Sequence, residues 1–169
     1  MKNIHKLAAI DIGSNAVRLL ITSIRINKPD TKFKKISLVR VPLRLGEDVF
    51  SNGKISDKKL KKLQKTLKAF KILMQMHEVY MFKAVATSAM REAENSTKII
   101  EDIFKKLSIK IDLISGKKEA LMIANVFLNS MENLANNYLY VDVGGGSTEL
   151  NLISKNKIID TKSFKIGTV

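Results

Sequence analysis

The sequence predicts an α/β fold from three observations. An apolar three-strand meander opens the chain, helical and extended patterns alternate after it, and a strand–turn–strand unit recurs with an offset of 131 residues. The 169 residues are 45% hydrophobic and 27% charged, which suits one or two compact cores rather than a disordered or fibrous chain.

KLAAIDIG (6–13) and AVRLLITSI (16–24) are short apolar runs, and KKISLVRVPL (34–43) is β-branched with partial alternation, which gives three strands joined by short turns. Over 58–76, Leu60, Leu63, Leu67, Phe70 and Met74 recur at steps of three and four, the period of one helical face, with Lys58, Lys61, Lys62, Lys65 and Lys68 elsewhere. EVYMFKAVA (78–86) reads as a fourth strand. Residues 96–107 form a second helix with Ile99, Ile100, Ile103, Phe104 and Leu107 inward, and IKIDLI (109–114) a fifth strand. A third helix follows, with Ser115 as its N-cap. Its apolar residues Ala120 to Ile123 and Val126 to Leu128 run nearly all round, which predicts burial on most faces. NYLYVDVGGG then opens a new strand.

Composition excludes several classes of chemistry. Without cysteine there is no disulfide framework, thiolate metal site or cysteine nucleophile. Only four apolar residues in a row precede Asp11, too few for a signal peptide, and no later run approaches the roughly 18 residues of a membrane span. The expected location is cytoplasmic, with no membrane partner. Charge is the positive clue: 30 basic and 16 acidic residues give +14, and residues 1–85 hold 19 of the basic but 6 of the acidic ones. Such a field favours a polyanion. The lysines of helix 58–76 read first as a solvated face, with a polyanion track as the alternative. No aromatic residues interleave with them as stacking platforms, so nucleic acid is not the expected partner.

The chemistry lies in two turns. AAIDIGSNAVRLLI and YLYVDVGGGSTELNLI align Asp11 with Asp142 and Gly13 with Gly144. Backbone N–H groups at Gly13, Gly144, Gly145 and Gly146 can approach an anion closely, and Ser14, Asn15, Ser147 and Thr148 add side-chain donors, so two such turns can grip one phosphate chain from both sides. A lone turn of this kind most often only connects strands; the pairing is what points to function. Asp11, Asp142 and Glu149 would repel phosphate unless a hard divalent cation lay between them, and Mg2+ suits joint carboxylate and phosphate ligation. Neither turn is followed by a P-loop lysine and both lead into strands, so neither a P-loop nor a Rossmann fingerprint is present.

DIGSNAVRLLI, RLGEDV, AVATSAMREAEN, ISGKKEA and DVGGGSTEL, in this order and at these spacings, resemble the exopolyphosphatase / guanosine pentaphosphate phosphohydrolase (Ppx/GppA) family over nearly the whole chain. The resemblance implies an actin-like, sugar-kinase-like ATPase fold of two ribonuclease H-like α/β domains with the active site between them. The first would occupy 1–133 and the opening of the second 134–169. It implies hydrolysis of the terminal phosphoryl group of inorganic polyphosphate or guanosine pentaphosphate, with Glu119 as the base that activates water. Arg91 would contact phosphate, with Ser88 and Thr87 as hydroxyl donors in a polar loop; Arg44 and Gly46 match a family segment but read only as a turn after a strand. Oligomers are common in the family, and a homodimer is one form the resemblance allows.

The chain departs from the family pattern where GKKEAL places Lys118 for a glutamate and Leu121 for an arginine. That departure motivates a second reading, a regulatory module that binds polyphosphate or guanosine polyphosphates without turnover; a kinase or ATPase of the same fold is a third. SFKIGTV resembles the third strand of the second domain. The expectation is therefore a shortened second domain with exposed apolar surface.

Overall fold

The computed structural model describes residues 4–26, 31–130 and 136–169. The three opening strands, β1 (Ile4–Ile12), β2 (Val17–Ile26) and β3 (Thr31–Val41), pair antiparallel as a meander. β4 (Met81–Ala86) joins the free edge of β1 in parallel, and β5 (Ile111–Leu113) pairs in parallel with β4, so the sheet order is β3-β2-β1-β4-β5.

The helices between these strands cover the sheet. α2 (Asp57–Met76) is capped by Ser56, whose hydroxyl accepts from the Lys59 N–H at 3.3 Å, and buries Leu63, Leu67, Phe70 and Met74. α4 (Ser96–Leu107) buries Ile99 and Ile103, and with α2 it closes a core around Ile10, Ile12, Leu19 and Ile21. The steps of three and four thus place both amphipathic helices, with one correction: Phe104, expected inward, is 55% exposed because it lies off the α4 stripe that Ile99 and Ile103 bury.

Two helices lie where the sequence reads as turn and loop. α1 (Leu45–Asn52) follows β3 directly, and its first turn is tied to the β1–β2 turn by N–H donation from Arg44 to Asn15 and from Gly46 to Ser14, both at 2.9 Å. α3 (Ser88–Glu92) corrects the expected polar loop: Ser88 is buried in the first turn of a short helix. Each is too short to repeat an apolar period, so periodicity could not reveal it.

α5 (Gly116–Ser130) leaves the first sheet and packs on a second one, formed by β6 (Asn137–Val143), β7 (Thr148–Ser154) and β8 (Lys157–Phe164) in an antiparallel meander. Burial on most faces does not hold for this helix. Ala120 and Ala124 are buried, but Met122 is 46% and Val126 70% exposed, because β7 and β8 take only one side of it. Leu139, Val141, Val143 and Ile159 of the second sheet are likewise exposed, in line with the expected uncovered apolar surface. The repeat is exact in its pairing, with Asp11 opposite Arg18 and Asp142 opposite Glu149. An antiparallel meander extended by parallel strands, with helices between them, is the mixed α/β arrangement the sequence predicts. No described helix is long and apolar enough to cross a membrane.

Candidate active site

The two turns close with the same backbone bond. Gly13 N–H donates to Ala16 at 3.1 Å, and Gly144 N–H donates to Ser147 at 2.8 Å. They then meet face to face: a Cβ on Gly145 would lie 2.9 Å from Asn15 Nδ2 and 3.0 Å from Ser14 Cβ. A side chain there would have to push the Asn15 amide and Ser14 aside, so close approach rather than turn geometry favours glycine. Ser14 is 3% exposed; its Oγ lies 2.6 Å from Ser88 Oγ and accepts the Ala89 N–H at 3.2 Å, which locks the first turn onto the start of α3. Ser14→Ala leaves that buried N–H without its acceptor and is expected to cost about 1 to 3 kcal/mol, read by urea denaturation.

A polar cleft of about 260 Å3 lies between the turns. It is lined by Gly13, Ser14, Asn15, Ser88, Gly144, Gly145 and Ser147, with the carboxylates Asp11, Asp142 and Glu119. The structure therefore brings together most of the residues singled out from the sequence.

Four others stand back from the cleft wall. The Thr148 hydroxyl donates to the Ile166 carbonyl at 2.6 Å, and Gly146 lies against the Phe50 ring and Ser88. Glu149 is 2% exposed and accepts from Ser163 Oγ at 2.9 Å. Arg91 donates from one guanidinium nitrogen to the Ile114 carbonyl at 2.9 Å and lies 3.5 Å from the Glu119 carboxylate. It sits beside the proposed base, not on the cleft wall.

Arg18 is a charged residue of the cleft lining that the motifs did not single out. Its guanidinium meets Asp11 at 2.8 Å inside the cleft. The signal was present in the hairpin register, since a turn centred between Ser14 and Asn15 sets Asp11 opposite Arg18.

Glu119 is the most perturbed group in the cleft. Ser115 opens α5 as predicted, its carbonyl accepting the Glu119 N–H at 2.9 Å and its hydroxyl the Lys118 N–H at 3.3 Å. Burial, reinforced by the charge of Glu149, pushes the Glu119 carboxyl up to about 7 against the opposing pull of Arg91. Below the ordinary value of 4.5 the carboxyl is neutral in both folded and unfolded chains; between 4.5 and about 7 the unfolded chain ionises while burial keeps the folded one protonated, so stability falls across that window and levels off above it. Glu119→Gln is therefore expected to gain roughly 2 to 3 kcal/mol at pH 8, or roughly 4 to 10 °C in Tm, and nothing at pH 4. Thermal melts at the two pH values check this.

Among the described residues, no three carboxylate or imidazole groups lie close enough together to enclose a metal ion. Asp11 and Asp142 nevertheless share one cleft, where they supply hard oxygen donors. That set fits a cation that keeps waters and takes its remaining ligands from phosphate, as Mg2+ does.

The model of the Ppx/GppA phosphatase family matches residues 24–169. The bifunctional 3-dehydroquinate synthase/phosphatase of Fusobacterium nucleatum is 33% identical over 99% of this chain and 26% of its own length. Exopolyphosphatase 1 of Mycobacterium tuberculosis is 30% identical over 86% of this chain and 41% of its own. Among solved structures, an exopolyphosphatase from Cytophaga hutchinsonii superposes with a TM-score of 0.86 at 29% identity, over 96% of this chain and 51% of that one. The Aquifex aeolicus Ppx/GppA family member gives 0.82 at 29% identity, over 97% and 52%. The chain thus spans from about a quarter to about half the length of these relatives.

Proposed function

The chain belongs to the Ppx/GppA phosphatase family, and from that premise we propose that it hydrolyses the terminal phosphoryl group of inorganic polyphosphate or guanosine pentaphosphate with Glu119 as the base. One observation carries the reading: a carboxylate pushed up to about 7 lines the same small cleft as two opposed glycine turns.

In this mechanism the turn amides of Gly13, Gly144 and Gly145, with Ser14, Asn15 and Ser147, hold the phosphoryl oxygens. Glu119 orients a water for in-line attack on the terminal phosphorus and takes its proton; the bond to the bridging oxygen breaks, and the shortened chain leaves with that oxygen. Such chemistry depends mainly on positioning and on stabilising charge. Asp142 and Asp11 would hold Mg2+, with Glu149 behind them, and the ion would neutralise charge on the phosphoryl oxygens. Arg91 acts through Glu119, keeping its carboxylate within 3.5 Å of a fixed cation. Lys118 and Leu121, the departures from the family pattern, do not line the cleft, which favours turnover over binding alone.

The test is Mg2+-dependent release of orthophosphate from polyphosphate and guanosine pentaphosphate in parallel. Release from either supports the hydrolase and ranks its substrates. Binding of both without release replaces it with the regulatory module.

A further inference from the structure

α2 carries seven lysines against one acidic residue, Asp57. Its buried stripe uses none of them. Lys61, Lys65 and Lys68, together with Lys106 and Leu107 of α4, border a groove of about 270 Å3 between the two helices. All four lysines are exposed, and none forms an ion pair among the described residues. Of the two acidic side chains of α4, Glu101 lies 4.0 Å from Lys105, and Asp102 forms no ion pair with the groove lysines. Lys71 closes one end by donating to the Leu107 carbonyl at 2.7 Å, which fixes α2 against the end of α4.

Position adds to charge. Lys59, in the first turn of α2, meets Glu47 at 3.1 Å and Asp48 at 2.9 Å on α1, and donates to the Arg44 carbonyl. Arg44 and Gly46 are in turn bonded to the phosphate-facing β1–β2 turn. The start of α2 is thereby tied, through α1, to the β1–β2 turn that forms one wall of the cleft. From there Lys61, Lys65 and Lys68 follow one face at steps of four and three, a row about 10 Å long at 1.5 Å per residue.

We propose that this groove binds the distal part of a long polyphosphate chain whose terminal group occupies the cleft. The inference rests on the proposed substrate. Charge complementarity selects the occupant: unpaired ammonium groups repeat along a line, as the charges of polyphosphate do, and nothing in the groove offers a ring on which a base could stack. The row holds the chain without touching the reacting end, so it sets affinity for long substrates and leaves the chemical step alone.

The experiment compares the protein with its K61Q/K65Q/K68Q variant in direct binding of long-chain polyphosphate and of tripolyphosphate, with RNA as competitor, beside phosphate release. The expected result is at least a tenfold loss of long-chain affinity, tripolyphosphate affinity within twofold, an unchanged kcat, and a log–log salt slope reduced by two to three. The proposal is overturned if long-chain affinity is unchanged, if both ligands weaken equally, or if RNA displaces polyphosphate as readily and weakens in parallel. Because binding is read directly, absence of phosphate release from every substrate would sink the hydrolase reading without deciding the groove.

Discussion

Glu119→Gln is expected to lower kcat by about 10³-fold while polyphosphate affinity stays within a few-fold, because the amide keeps the shape and the Arg91 contact but cannot take a proton. General-base contributions run from about 10² to 10⁴. The position of Glu119 explains why the loss should fall on turnover: the turns proposed to hold the phosphate are built by β1, β2, β6 and β7, whereas Glu119 enters from the first turn of α5. The same variant should be more stable than the parent above pH 7. Stability and activity then move in opposite directions at one residue, as expected when burial is used to tune a base. Stopped orthophosphate assays and equilibrium binding on the two proteins check the prediction; equal loss of affinity and turnover would make Glu119 a structural residue.

Gly145→Val is expected to be nearly as damaging by a different route. Even a Cβ there meets Asn15 Nδ2 at 2.9 Å and Ser14 Cβ at 3.0 Å, and the branched side chain must force the two turns apart. A displacement of about 1 Å at a positioned site costs about 10²-fold in rate, and here it separates the two halves of the phosphate grip. kcat/KM should fall at least 10²-fold with KM rising. Tm should move far less, since neither sheet core touches this turn. Gly145→Ala should fall between the two proteins. A Gly145→Val protein with parental kinetics would mean that the turns do not act on one substrate together.

The site was largely legible because its signal is local. Asp-apolar-Gly between two apolar runs fixes a strand end, a tight turn and a returning strand, and its recurrence sets Asp11 and Asp142 in equivalent positions. Glu119 is singled out only through the family resemblance; its place in the first turn of an apolar helix reads equally as a carboxylate that complements the helix N-terminus. What could not be read is where side chains point when nothing periodic constrains them. Arg91 leaves a five-residue helix and turns to the Ile114 carbonyl, 23 residues on in sequence, so its role beside Glu119 is a tertiary fact. Thr148 turns its hydroxyl to the Ile166 carbonyl, 18 residues on in sequence, a contact that the motif alone does not convey. α1 escaped because it buries only Leu45, Gly46 and Val49, one turn of apolar pattern. The apolar breadth of α5 misled because hydrophobicity states what a helix tolerates, not how many neighbours surround it.

The pH dependence of kcat tests the central claim most directly. With Mg2+ and polyphosphate saturating, kcat should rise with unit slope as Glu119 ionises and level off above an apparent pKa near 7. In Glu119→Asp the limb should move, because the shorter carboxylate changes its burial and its distance from Arg91. A limb that stays in place in Glu119→Asp belongs to the substrate or to another group. That result, or a flat profile from pH 5 to 8, would contradict the assignment of Glu119 as the base.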